Sequence, residues 1–238
     1  MAKFGVLVFP GTNCEMDMLR VLRDLFHQEA DLVWYQERDL SVYDVIILPG
    51  GFSYGDYLRA GSMARWAPVI DAVSNAAAKG RLILGICNGF QILTEAGLLP
   101  GALQRNRHLR YVCDWTHVRV ERADTPFTSA YQEGQILRIP ISHGEGNYYA
   151  AADTLAVLEK RGQVVLRYAT PEGQINEGFN PNGSLHNIAG IINEDGNVMG
   201  LMPHPERACE AILGSEDGRG IFASMLHYLT EGRVSHAG

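Results

Sequence analysis

The stretch that decides the fold is Leu82-Ile83-Leu84-Gly85-Ile86-Cys87-Asn88-Gly89-Phe90-Gln91, in which an apolar run ends at a cysteine. The run before Cys87 predicts a buried strand, and the spacing after it predicts a helix. Gly85 and Gly89 stand two residues on either side of the cysteine and permit a sharp turn. Cys87 is therefore predicted to lie at a helix N-terminus, where unpaired N–H groups favour a nucleophilic thiolate.

The chain before this corner alternates strand and helix patterns. Apolar runs predict strands at 3–9, 31–35 and 44–48, and helical spacing predicts helices near 18–29 and 62–79. Such alternation indicates a parallel sheet with helices on both faces, whose strands end at one ligand-binding edge.

From about residue 111 the strand patterns follow one another without helices between them. Strands are predicted at 115–120, 135–141, 164–169, 188–193 and 197–202, and a closing helix at 217–229. Asp195-Gly196 is a strong hairpin signal between two of these strands. We therefore predict an α/β fold with a mostly parallel sheet and added antiparallel strands, in one domain over residues 1–238.

Composition excludes several classes of protein. The net charge of −7 argues against nucleic acid or an anionic membrane as the main partner. No apolar run approaches the ~20 residues that a membrane span needs. The four cysteines are scattered, which predicts free thiols in a cytoplasmic protein and no zinc site. No familiar glycine pattern for binding nucleotides occurs, so no cofactor is predicted for this chain.

A cysteine nucleophile needs a base and a group that orients the base, and Met202-Pro203-His204-Pro205-Glu206 offers both. Each proline favours an extended conformation for the residue before it. Residues two apart in an extended segment project to the same side, so Glu206 is predicted to hold the His204 imidazole. The alternative is a proline-rich turn with an exposed histidine and a solvated carboxylate.

Three other features have both a functional and a purely structural interpretation. The loop at 49–56 follows a strand, and Gly51 N–H together with Asn88 N–H would form an oxyanion hole. The alternative is an ordinary glycine-rich loop. Cys14 also opens a helix after a strand, but it lacks glycine on both sides and is the weaker nucleophile candidate. His143 and Glu145 form either an acid–base or metal pair, or a loop that faces substrate or a partner.

The segment 85–91 resembles the Gly-x-Cys-x-Gly-x-Gln nucleophile motif of class I glutamine amidotransferases, and 203–206 resembles their His-x-Glu pair. Within this class, the sequence resembles most specifically the glutaminase subunits (PurQ) of phosphoribosylformylglycinamidine synthase. This resemblance extends over nearly the whole chain. It rests on the further segments 9–14, 50–61, 97–101, 143–146 and 180–184.

The resemblance implies a flavodoxin-like class I amidotransferase fold and hydrolysis of glutamine to glutamate and ammonia through a thioester. In such enzymes Cys87 would attack the side-chain amide, His204 would move the proton and Glu206 would orient His204. The residues implied to contact the oxyanion or the bound glutamine are Gly51, Asn88 and Gln91.

The resemblance also implies partners. The ammonia would pass to a large synthetase subunit (PurL), which uses ATP and Mg to make the amidine of formylglycinamide ribonucleotide in purine biosynthesis. A small subunit (PurS) would bridge the two, and Tyr54, Arg59 and the His143 loop are candidates for the partner-facing surface. The alternatives are a PfpI-like peptidase or deglycase, a scaffold subunit without activity, and an amidotransferase of another pathway.

Overall fold

A nine-stranded sheet runs through the described part of the chain, residues 1–235 of a computed structural model. Residues 236–238 of the predicted domain lie outside that part. The helices are α1 (Glu15–Arg20), α2 (Pro68–Ala78), α3 (Asn88–Glu95), α4 (Ala152–Lys160) and α5 (Arg219–Ser235). The strands are β1 (Lys3–Val8), β2 (Glu29–Trp34), β3 (Val45–Leu48), β4 (Leu82–Ile86), β5 (Ala102–Gln104), β6 (Val112–Val120), β7 (Ile136–His143), β8 (Asn147–Tyr149), β9 (Val164–Ala169), β10 (Ile188–Ile192) and β11 (Val198–Leu201).

The strand order in this sheet is β2-β1-β3-β4-β11-β10-β9-β6-β7. The first five strands pair in parallel, and the remaining pairs are antiparallel. Helix α1 packs on β1, and α3 packs on β3, β4 and β11. The predicted α/β fold, a parallel sheet flanked by helices with antiparallel additions, is confirmed.

Continuous apolar sequence marks the strands at the centre of this sheet. Strands β3, β4, β10 and β11 are buried along their whole length, because other elements cover both faces of the sheet there. The edge strand β2 instead alternates between buried and exposed residues. The hairpin predicted at Asp195-Gly196 joins β10 to β11, and Gly196 has the positive φ of 75° that such a turn requires.

Two predicted helices differ from those observed. The helix predicted at 62–79 is a 3-10 turn at Ala64–Trp66 followed by α2, because Ala67 precedes Pro68 and is extended, with ψ 141°. The helix predicted near 18–29 begins earlier, at Glu15, and its second half, Val21–Leu25, winds as a π-helix.

Short elements were missed by the sequence patterns. Strands β5 and β8 have three residues each and pair only with one another. Helix α4 buries only Leu155 and Leu158, so its apolar stripe is too narrow to stand out in the sequence. Among the described residues, no helix combines the length and the apolar character needed to cross a membrane.

Candidate active site

Cys87 sits at the corner between β4 and α3 with φ 51° and ψ −104°, a backbone conformation that residues other than glycine rarely adopt. Its N–H donates to Leu201 O at 2.8 Å, which ties the corner to the end of β11. A Cβ on Gly89 would lie 1.9 Å from Leu48 O, so α3 approaches β3 more closely than any side chain allows. The strained corner of the prediction is therefore present, and the packing around it holds it in place.

His204 and Glu206 follow β11 and form a buried pair. His204 Nδ1 and Glu206 Oε1 are 2.6 Å apart, and the two side chains are almost entirely inaccessible to solvent. The His204 N–H donates to Pro140 O at 2.8 Å, which fixes the segment against β7. The alternative of an exposed histidine and a solvated carboxylate is therefore wrong.

The charges around His204 favour its protonated form. Burial alone lowers the pKa of the imidazole, but the Glu206 carboxylate and the thiols of Cys87 and Cys14 raise it well above its ordinary value. His204 Nε2 has no hydrogen-bond partner within residues 1–235 and remains available for proton transfer. The arrangement can therefore hold an imidazolium next to a thiolate, which is the activated state of a cysteine nucleophile.

Cys87 opens into a cavity of about 170 Å³. Its thiol donates a 3.5 Å hydrogen bond to Ser142 O on β7. The volume is below the range of typical drug-sized sites, so the cavity suits a ligand no larger than an amino acid. The lining residues are Gly51, Phe52, Asp56, Cys87, Gln91, Tyr111, Ser142, His143, Gly144 and Glu145.

The two predicted oxyanion donors, Gly51 and Asn88, follow the ends of the neighbouring strands β3 and β4. Gly51 pairs with Thr12, and a Cβ on Gly51 would lie 2.7 Å from Thr12 Cα, so only glycine fits. Asn88 is the first residue of α3, where an N–H has no carbonyl partner within the helix. Its side-chain Oδ1 accepts from Ser53 N–H at 3.1 Å and thereby ties the β3 loop to α3.

Gln91 lines the cavity as a member of a buried hydrogen-bond chain. Asn88 Nδ2 donates to Gln91 Oε1 at 2.9 Å, and Gln91 Nε2 donates to Glu145 O at 2.7 Å. Gln91 therefore links the helix after the nucleophile to the loop between β7 and β8. It lines the same cavity as Cys87, and its contact with a bound glutamine, which the motif implies, stays a prediction.

His143 forms part of the cavity wall. Its Nε2 accepts a 3.0 Å hydrogen bond from Asn182 Nδ2, and burial lowers the pKa of its imidazole to about 3. The buried ring belongs to the cavity wall, which agrees with the interpretation of this loop as one that faces substrate. An imidazole with so low a pKa does not favour the alternative of an acid–base pair with Glu145. Glu145 Oε2 accepts from Ala60 N–H at 3.1 Å, so this carboxylate fastens one loop to another.

Cys14 is beside His204, not in the cavity with Cys87. A Cβ on Gly50 would meet both Cys14 Sγ, at 2.9 Å, and His204 Cε1, at 2.7 Å. Cys14 Sγ, His204 and Glu206 offer ligand atoms within 4.8 Å of one another. The Arg207 guanidinium contacts Cys14 Sγ at 3.2 Å and opposes a metal cation at that position, so we assign none.

A larger cavity, of about 560 Å³, is lined by His204 and Glu206. Ser142 lines both cavities. Of these two cavities, the smaller one is lined by Cys87, so its chemistry and not its size makes it the candidate substrate site. Sequence reasoning assigned no individual role to five of the lining residues: Phe52, Asp56, Tyr111, Ser142 and Gly144. Of these, Phe52 and Asp56 lie in the glycine-rich loop at 49–56, and Gly144 lies in the loop of His143 and Glu145.

Comparison with known proteins agrees with this geometry. Residues 1–227 match the CobB/CobQ-like glutamine amidotransferase domain. The phosphoribosylformylglycinamidine synthase subunit PurQ of Symbiobacterium thermophilum is 60% identical over 232 residues, covering 98% of both chains. The PurQ subunit of Moorella thermoacetica is 56% identical and covers 97% of this chain and 98% of its own.

The chain belongs to the PurQ family of glutamine amidotransferases.

A solved structure supports the same assignment to the PurQ family. The structure of PurLQS from Thermotoga maritima contains a chain that is 46% identical, with a TM-score of 0.85 over 96% of this chain and 100% of that chain. The family resemblance carried by the cysteine and His-x-Glu motifs is thus confirmed.

Proposed function

We propose that this chain is the glutaminase subunit of a phosphoribosylformylglycinamidine synthase, with Cys87, His204 and Glu206 as its catalytic triad. The observation that carries the triad is the buried 2.6 Å contact between His204 and Glu206, set beside a cysteine held at a strained corner. Relatives of known name at 56–60% identity support the assignment of the subunit.

The reaction follows from the positions of these groups. The Cys87 thiolate attacks the side-chain carbonyl carbon of glutamine, and the N–H groups of Gly51 and Asn88 stabilise the oxyanion. The His204 imidazolium gives its proton to the leaving nitrogen, which departs as ammonia and leaves a thioester on Cys87. His204 then takes a proton from water, the resulting hydroxide attacks the thioester, and glutamate is released with the thiolate and the imidazolium restored. Glu206 keeps the imidazole oriented and stabilises its charged form.

The ammonia is consumed elsewhere. The related PurLQS structure is an assembly of named subunits, and we infer equivalent large (PurL) and small (PurS) partners for this chain. The large subunit would use ATP and Mg to join the ammonia to formylglycinamide ribonucleotide in purine biosynthesis. In this proposal the chain needs no cofactor for the glutaminase step. It functions as one domain over residues 1–238, and it resides in the cytoplasm.

The first experiment uses a diazoketone analogue of glutamine that alkylates an activated cysteine. Peptide mass spectrometry is expected to find the label on Cys87, and excess glutamine is expected to prevent it. Cys113→Ser removes an exposed thiol, is the matched control and should label normally, whereas Cys87→Ser should neither label nor hydrolyse glutamine. Labelling of Cys14 instead, or labelling that glutamine does not block, would contradict the proposed site.

A further inference from the structure

The loop after β3 brings a carboxylate into the cavity of Cys87, and the mechanism above does not use it. Asp56 lines this cavity, and its Oδ1 is shielded from solvent without a hydrogen-bond partner among residues 1–235. A buried polar oxygen without a partner costs free energy and calls for an explanation. A donor on the bound ligand would satisfy this oxygen.

The backbone that presents Asp56 is strained. Tyr54, Gly55 and Asp56 have consecutive φ values of 54°, 72° and 53°, a region that is costly for a residue as bulky as tyrosine. The loop is nevertheless fixed, because Tyr54 N–H donates to Pro10 O at 2.6 Å and Ser53 N–H donates to Asn88 Oδ1. Strain that the surrounding structure maintains is common where a site must be preorganised.

The electrostatics of the cavity favour a cation at this position. Its lining contains two carboxylates, Asp56 and Glu145, and neither lysine nor arginine among the described residues. Glu145 is already engaged by Ala60 N–H and lies 3.6 Å from the Arg105 guanidinium. His143, the histidine of the lining, stays neutral. Burial and the nearby Glu145 charge raise the pKa of Asp56 to about 6. A cationic hydrogen-bond donor would stabilise the ionised form of this carboxyl group.

We propose that Asp56 binds the α-ammonium group of the substrate and makes the site selective for a free amino acid. This inference rests on the proposed function, in which the amide end of glutamine lies at Cys87. An ammonium group would supply the hydrogen-bond donor that Asp56 Oδ1 does not have, and its positive charge would balance that of the carboxylate. The site would accordingly reject glutamine within a peptide, and also glutaramate, which has the amide and the carboxylate but no amine.

The test compares hydrolysis of L-glutamine and glutaramate by the chain assembled with its large and small subunits. Wild type is expected to prefer L-glutamine, and Asp56→Asn should lower kcat/KM for L-glutamine by roughly 10- to 100-fold while glutaramate is hydrolysed as before. The preference should therefore collapse in the variant. Asp153→Asn removes an exposed carboxylate of α4 and should leave the preference unchanged.

A second measurement separates recognition from structure. Calorimetric binding of L-glutamine to Cys87→Ser should weaken by a similar factor when Asp56→Asn is added. Equal losses on both substrates, an unaltered preference, or a wild type that does not discriminate would each overturn the role of Asp56. Glutamine hydrolysis that survives in Cys87→Ser would instead overturn the proposed function itself.

Discussion

At the scale of residues, the position of His204 depends on what surrounds its ring. Gly50 leaves room for it, since a Cβ there would lie 2.7 Å from His204 Cε1. The Glu206 carboxylate accepts a hydrogen bond from His204 Nδ1, and the backbone N–H of His204 donates to the carbonyl oxygen of Pro140. The imidazole is thus preorganised before substrate arrives, with Nε2 as its free reactive atom.

The Glu206 carboxylate is expected to control the ionisation of His204. Glu206→Gln removes the charge that raises the pKa of His204, so the imidazolium becomes less stable. We expect kcat to fall by roughly 10²- to 10⁴-fold. Because less positive charge then lies near Cys87, the rate of its alkylation by iodoacetamide, followed from pH 5 to 9, should be lower than in wild type.

The matched control for this variant is Glu172→Gln, which neutralises an exposed carboxylate. It should leave both kcat and the alkylation profile as in wild type. An unchanged alkylation profile in Glu206→Gln would contradict the electrostatic role of Glu206, even if kcat fell.

His143 is expected to make stability depend on pH. Its pKa is about 3 in the folded state and near 6.5 when unfolded, so only the unfolded chain gains a proton between these values. The stabilisation is fully present above pH 6.5 and is lost as the pH falls towards 3. Between pH 7 and pH 5 the loss should be about 2 kcal/mol. Urea unfolding at the two pH values measures it.

His143→Gln supplies the comparison, because every other titrating group stays in place. The variant should be less stable at pH 7, but its stability should fall by less between pH 7 and pH 5. Parallel losses in wild type and variant would show that His143 is not the group responsible.

At the scale of elements, the β4–α3 corner rests on contacts that only glycine permits. Gly89→Ala would place a Cβ 1.9 Å from Leu48 O, a backbone atom that cannot move without shifting β3. We expect the free energy of unfolding to fall by at least about 3 kcal/mol, beyond the usual cost of overpacking. Thermal or urea unfolding checks this.

Gly97→Ala is the control for that substitution. Gly97 ends the same helix with φ 72°, but a Cβ there would meet nothing within 4 Å. Its cost should therefore be only that of the backbone conformation, about 1 kcal/mol. Similar losses in the two variants would mean that close approach of α3 to β3 is not what requires glycine at 89.

The sequence predicts those elements of the site whose conformation is determined by neighbouring residues in the chain. The corner at Cys87 and the hairpin at Gly196 follow from local patterns of apolar residues and glycine. The prediction fails where distant contacts decide, as for the three-residue strands β5 and β8, which pair only with each other. The roles of Cys14 and His143 were also predicted without knowledge of the residues that surround them in the fold. Those surrounding residues determine what each side chain can do.

At the scale of the whole molecule, β11 joins the two parts of the chain. It was predicted as one arm of an antiparallel hairpin, yet it also pairs in parallel with β4, with Leu201 opposite Ile86. This register places the residues after β11 beside Cys87. No local pattern indicates which strand becomes the neighbour of which, so the sequence predicts the triad from its motifs and not from topology.

The partner-facing surface is expected to include the apolar tip of the loop after β3. Tyr54 packs edge-on against Tyr35 and Arg59 is paired with Glu95, whereas Tyr57 and Leu58 are 88% and 81% exposed. Exposed apolar groups next to a site are typical of interaction surfaces. Adding the large and small subunits should raise glutaminase turnover, and Leu58→Ser should reduce that increase without changing the turnover of the chain alone.

Ile212→Ser is the control, since Ile212 is also 88% exposed but belongs to a different segment. The measurement is ammonia release with and without the partner subunits. Unchanged turnover on adding the partner subunits would contradict the predicted activation. Full activation of Leu58→Ser would show that the tip of this loop does not belong to the interface.

The pairing of β4 with β11 also has a consequence for biosynthesis. A ribosome makes the cysteine of the corner long before it makes His204 and Glu206, and the Leu201 carbonyl that anchors the corner comes equally late. A nascent chain therefore carries Cys87 without His204 while the 117 residues up to His204 are made, about half of the 238-residue chain. In the proposed mechanism, ammonia release therefore has to wait until His204 and Glu206 have been made and β11 has paired with β4.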